Sequence, residues 1–230
     1  MTHSSNEHRL DSTLPQRNPG QTELLFSSIR LWIIVGIALL GGISLGFWFQ
    51  ASQTPIGSSP EVGFARAMAF HHAQAVEMGQ LLYDRTDDDE MRILALDMLL
   101  VQQYQIGEMG AWVSLWGPPT SENEAGMAWM GMPADAPMPG MATPEELNRL
   151  RTLKGVETDA LFMQLMIPHH RSGVEMAEAI LALSEQPQVR RLAEGIVTSQ
   201  ESEIAYMQDL LQQKGFPPVR DAPGSMPNMP

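Results

Sequence analysis

The sequence predicts an all-α protein: a ferritin-like four-helix bundle made of two duplicated helical hairpins, preceded by a single N-terminal transmembrane helix. Three observations predict it. A segment repeats itself at a constant offset of 98 residues, helical stretches end at Gly and Pro clusters, and an uncharged apolar run stands ahead of both copies. No run of alternating apolar residues is long enough to argue for a sheet.

The duplication sets the hairpins. FARAMAFHHAQAVEM, Phe64 to Met78, aligns without a gap with FMQLMIPHHRSGVEM, Phe162 to Met176. The register continues through Arg92 and Arg190, Gln102 and Gln200, Ile106 and Ile204, and Met109 and Met207. His71, His72, His169 and His170 are the only His beyond residue 8.

The elements follow in chain order. Residues 1–29 have little apolar pattern and read as a disordered cytoplasmic tail. Residues 30–50 are read as the transmembrane helix, because Leu31 to Phe49 carry no charge over about the ~20 residues that a bilayer core requires. Arg9, Arg17 and Arg30 precede the run and no Lys or Arg follows until Arg66. By the positive-inside rule the N-terminus is cytoplasmic and the C-terminal domain is periplasmic or extracellular. The rival reading, a cleaved signal peptide, has some 30 polar residues ahead of the run against it.

Residues 51–60 form a polar linker to a duplicated domain over 61–217. Its first hairpin, 61–117, holds helices from about Pro60 to Tyr83 and from Asp87–Asp89 to Trp116, where Gly117-Pro118-Pro119 stops the chain. The crossover, 118–157, is rich in Met and Pro. Pro133, Pro137 and Pro139 forbid a regular helix, and Thr143-Pro144-Glu145-Glu146 starts a short one over 144–153. The second hairpin, 158–217, holds helices from Thr158 or Asp159 to about Ser184 and from Pro187 or Gln188 to about Lys214. Residues 218–230 read as a disordered tail.

Composition narrows the chemistry. Among 230 residues there is no Cys, which excludes disulfides, thiolate metal sites and Cys nucleophiles. The formal net charge of −13 argues against nucleic acid as a partner. Met, at 17, is abundant.

Spacings of 3, 4 and 3 place Met68, His71, Ala75 and Met78 on one helix face, and Met166, His169, Gly173 and Met176 on its repeat. Thioether and imidazole on one stripe suit copper, Cu(I) before Cu(II), since soft thioether selects Cu(I). His72 and His170 stand about 100° further round. Glu77 and Glu175 lie on that flank, as ligands or as acceptors that orient a ring. The second helix of each hairpin offers Gln102 and Met109, and in the repeat Gln200, Glu203 and Met207. Glu203 aligns with Gln105, so only one copy has a carboxylate there. The competing reading of each feature is structural: Met fills core gaps, as expected for Met91, Met98 and Met163, and a His on an apolar face hydrogen-bonds in the core. Arg92 and Arg190 are expected in salt bridges, and Asp87 to Glu90 as a solvated helix start. The crossover Met127, Met130, Met132, Met138 and Met141, with Trp129, either wrap Cu(I) or cover apolar bundle surface.

The pattern Met166-Ile167-Pro168-His169-His170, Val174-Glu175-Met176-Ala177, then Ser199-Gln200, Glu203-Ile204 and Met207, resembles the domain of unknown function family number 305 over about residues 60–217. The resemblance implies a ferritin-like four-helix bundle and relatives that resemble secreted or periplasmic copper binders using Met and His. The first copy departs from the pattern, with Ala69-Phe70 for Ile-Pro and Gln105 for Glu.

The leading expectation is a membrane-anchored, extracytoplasmic copper-binding protein that sequesters or delivers the ion without turnover. The alternative is a non-metal helical interaction module of the cell envelope. A di-iron-type oxidase stands behind both, because no Glu lies three residues before any of these His.

Overall fold

Helix starts and stops follow the local chemistry of the chain. The computed structural model describes residues 30–46, 55, 57, 59–117, 126–133 and 135–220. The expected cytoplasmic tail, most of the linker and most of the C-terminal tail lie outside the described residues. The chain divides into two units at Thr54–Pro55.

In the first unit, α1 covers residues 30–46. Gly36, Gly41, Gly42 and Gly46 dilute its apolar character. None of the described helices is long and apolar enough to cross a membrane, which overturns the expected transmembrane helix over 30–50 and the topology built on it. Phe47, Trp48 and Phe49, at the end of the expected span, lie outside the described residues.

The second unit is all-helical among its described residues. α2, Pro60–Arg85, starts at the N-cap Ser59 with Pro60 in its first turn. α3, Asp89–Trp116, starts at Asp88, whose carboxylate accepts from the amides of Glu90 at 2.8 Å and Met91 at 3.4 Å. Of the three expected capping Asp, the chain uses the middle one. α4, Pro144–Thr152, opens with a capping box in which Thr143 and Glu146 satisfy each other's backbone amides. α5, Val156–Leu183, begins two residues before the expected Thr158, because Gly155 at φ 58 turns the chain and donates its amide to Arg85 O at 2.9 Å. α6 runs Pro187–Gln213.

α2 packs on α3 and α5 on α6 within the hairpins, and α2 on α5 joins them. Among the described residues, Arg92 and Arg190 do not make the expected salt bridges. Arg92 donates to the carbonyls of Tyr83 and Thr86 at 2.7 and 2.6 Å, and Arg190 to those of Leu181 and Ser184 at 2.7 and 3.0 Å. Both acceptor pairs are again 98 residues apart. Each Arg satisfies carbonyls that the preceding helix leaves without a partner at its C-terminus.

The core has two apolar lobes. One gathers Met78, Leu82, Met91, Met98, Phe162, Met163, Met166 and Met207. The other gathers Phe64, Met68, Met109, Trp112, Met127, Met176, Ile180 and Ile196. The early turns of α2 share a lobe with the later turns of α5, and the reverse holds for the other lobe, so these two helices run antiparallel. In the crossover, Met127 to Met130 form a 3₁₀ turn with Met127 and Met130 buried in the second lobe. Trp129 sits edge-on to Phe64, centroids 5.7 Å apart, over Gly63, where a Cβ would approach Trp129 Cβ to 2.6 Å. These Met and Trp cover apolar bundle surface, one of the two roles expected of them.

Candidate metal centre

Between the lobes lies a buried polar belt. Along α2 the lobes are separated by His71 and His72, along α3 by Gln102 and Gln105, along α5 by His169, His170 and Ser172, and along α6 by Gln200 and Glu203. All four His side chains are fully buried. His71 and His169 stack across the α2–α5 contact, ring centroids 3.6 Å apart and planes inclined by 26°.

The hydrogen bonds fix the tautomers. His169 Nε2 lies 3.1 Å from His71 O, which only accepts, so His169 carries its proton on Nε2. Ser172 Oγ donates to His169 O at 2.9 Å and therefore accepts from His71 Nε2, also at 2.9 Å. His72 Nε2 donates to Gln105 Oε1 at 2.7 Å and His170 Nε2 to Glu203 Oε2 at 2.6 Å. In all four rings Nε2 is engaged, and in all four Nδ1 is buried with no partner among the described residues.

Burial favours the neutral ring. Desolvation lowers the His71 and His169 pKa well below the ordinary value, reinforced by the neighbouring imidazoles. Burial pulls His72 down to about 4, against the opposing hydrogen bond to Gln105. A neutral imidazole with its N–H held by an oxygen and its other lone pair free is the form that ligates a metal.

The six Met expected on the stripes are all buried. They do not meet at one point. Met78, Met166 and Met207 belong to the first lobe, and Met68, Met109 and Met176 to the second. The 98-residue offset exchanges the two triplets, so each lobe takes thioethers from both hairpins.

The remaining candidates divide. Glu203 holds His170. Gln102 and Gln200 are buried, each with Oε1 unpartnered. Gln200 fills the space beside Gly173, where a Cβ would come within 2.3 Å of Oε1. Glu77 pairs with Arg151 of α4 instead of a His. Glu175 is half-buried, and desolvation with the nearby Glu178 raises its carboxyl pKa.

Two belt residues were not among the expected site residues. Gln105 was legible in the separation of 33 residues that His72–Gln105 shares with His170–Glu203. Ser172 was not, because its counterpart is Gln74. The structure gives these two a common task at the crossover. Gln74 exchanges two hydrogen bonds with Ala142, at 2.6 and 2.9 Å, and Ser172 lies under Gly140, whose Cβ would come within 2.3 Å of Oγ.

Among the described residues, no three His, Asp or Glu side chains could by themselves hold an ion. The donor set that fits is mixed: bare imidazole nitrogens in the belt, with thioethers in the lobes on either side. It suits a soft or borderline ion, and a hard ion that needs an oxygen cage finds none.

Fold and belt define an all-helical bundle with buried His between two Met-rich lobes. The chain belongs to the DUF305 family, a domain of unknown function, whose profile matches residues 61–211. A putative secreted DUF305 protein from Streptomyces coelicolor is 45% identical, with a TM-score of 0.66 over 71% of this chain and 98% of that one. CopM in its Cu(I)-bound form is 27% identical, with a TM-score of 0.51 over 66% of this chain and 96% of that one. CopM is also known in Cu(II)-bound and Ag-bound forms. Uncharacterized protein L153 of Acanthamoeba polyphaga mimivirus is 32% identical over 56 residues, which span 37% of that protein.

Proposed function

We propose that the bundle binds copper, Cu(I) in preference to Cu(II), and sequesters or hands on the ion without chemical turnover. The observation that carries this reading is the set of four buried Nδ1 atoms without partners on His71, His72, His169 and His170. A buried polar atom with nothing to bond costs about 1–3 kcal/mol, a cost that a bound ion removes. The thioethers of Met68, Met109 and Met176 on one side, and of Met78, Met166 and Met207 on the other, supply the soft donors. The Cu(I)-bound form of CopM supports the ion, and the excess of buried thioether supports the oxidation state. The alternative, a non-metal interaction module, leaves these four buried Nδ1 atoms without a partner.

The test is a titration of the full chain with Cu(I) against a competing chelator, with Zn(II) as control. Tight Cu(I) binding that weakens at least tenfold in His169→Ala/Met176→Ala is expected. Binding no tighter than that of Zn(II) would reduce belt and stripes to packing.

A further inference from the structure

A buried site needs a way in. α3 and α6 flank an open groove of about 610 Å³, lined by Glu90, Ile93 and Asp97 on one side and by Ser202, Glu203 and Tyr206 on the other. Tyr206 Oη donates to Glu90 at 2.5 Å and ties the two walls together. Glu203 belongs to groove and belt at once: its side chain is 19% exposed, and its Oε2 is 2.6 Å from Nε2 of the fully buried His170. His170 Nδ1, on the same ring, is one of the four without a partner.

The duplication supplies an internal comparison. Shifting by 98 residues relates Glu90 to Gln188, Asp97 to Gly195, Ile93 to Arg191 and Glu203 to Gln105. Three carboxylates thus have uncharged counterparts, and a cation stands where the groove has an Ile. Glu108, the counterpart of Tyr206, is the one acid on the other side of this comparison. The hairpins are duplicated but the negative lining is not. A cleft of one sign with low-dielectric walls concentrates counter-ions and speeds their arrival about 10–10³-fold.

We infer that the α3–α6 groove is the port through which a monovalent soft cation reaches the histidine belt, with Glu203 handing the ion from groove to His170. This rests on the copper reading above. Asp97 and Glu90 draw the ion in. Glu203 exchanges its hydrogen bond with His170 for the ion, and the ion then passes to the nitrogen and sulfur donors.

The absence of native Cys makes a clean test possible. In the full chain, Ile93→Cys, at a 70% exposed position, is capped with a bulky maleimide to plug the groove, and Arg191→Cys, capped identically, is its counterpart. Cu(I) uptake is followed by stopped flow, and final stoichiometry by equilibrium titration. The Ile93 adduct should load at least tenfold more slowly to the same final stoichiometry, and the Arg191 adduct at the rate of the unlabelled protein. Equal rates for both adducts, or equal slowing of both, would overturn the port. An unlabelled protein that takes up no Cu(I) would overturn the copper reading and the port with it. Asp97→Asn provides a second measurement: its uptake should be slower at low ionic strength and converge with the parent at high salt, and a difference that persists unchanged in high salt would count against steering.

Discussion

The rings of His71 and His169 lie face to face at 3.6 Å, and the carbonyl of His71 holds the Nε2 proton of His169. One residue of each duplicated hairpin is therefore locked to its counterpart at the centre of the bundle. The contact lies where α2 crosses α5, between the two apolar lobes.

An ion at the belt should stabilise the fold. A ligand that binds only the native state at a thousand times its Kd adds about 4 kcal/mol. For a domain of this size that is a rise in Tm of roughly 10 °C. Calorimetry with and without Cu(I), then after chelation, checks it. An unchanged Tm would mean that the bare Nδ1 atoms are not ligands.

Met residues of the two kinds should separate. Met98→Leu is a near volume-conserving swap in the first lobe, expected to cost less than about 1.5 kcal/mol and to leave Cu(I) affinity within about twofold. Met166→Leu conserves volume equally well but removes a proposed donor, and should weaken affinity about tenfold or more. Competition titrations of both variants decide it, and equal effects would remove the distinction between packing and donor thioethers.

Acid should unfold the bundle through its His. Between about pH 6.5 and 4 the unfolded chain takes up a proton at His72 that the folded chain refuses. Stability is therefore fully present above about 6.5 and falls as pH drops, by about 3 kcal/mol at pH 4 from this residue. His71 and His169 push in the same direction. Denaturant midpoints between pH 8 and 4 should show the decline, with a shallower slope in His72→Gln. A flat profile would mean that the belt accepts protons without opening.

Gly173 should tolerate no side chain while Gln200 is present. The Cβ of Gly173→Ala would sit 2.3 Å from Gln200 Oε1, and overpacking of this kind costs about 1–3 kcal/mol. Adding Gln200→Ala should restore most of the loss. A double-mutant cycle measures the coupling, and simple additivity would show that the amide moves aside freely.

Much of this protein is legible in the chain. Asp88, Thr143 and Pro187 mark helix starts, and the clusters at Gly117 and Pro187 mark breaks, because capping and loss of an amide are local chemistry. The two His pairs were legible because the 98-residue repeat isolates them. The apolar run after Arg30 misled, because absence of charge along a segment does not give the length or apolarity of the helix that forms.

The sequence by itself determined the all-helical class of fold and which His and Met side chains share a helix face, since helical periodicity reports which side chains stand together on one element. Only the tertiary structure decided who meets whom along the bundle axis. Periodicity carries no information about that direction, and the antiparallel crossing of α2 and α5 at His71 and His169 splits one stripe of Met between two lobes. It places Met68 with Met176 and Met78 with Met166, and leaves four imidazole Nδ1 atoms buried between them.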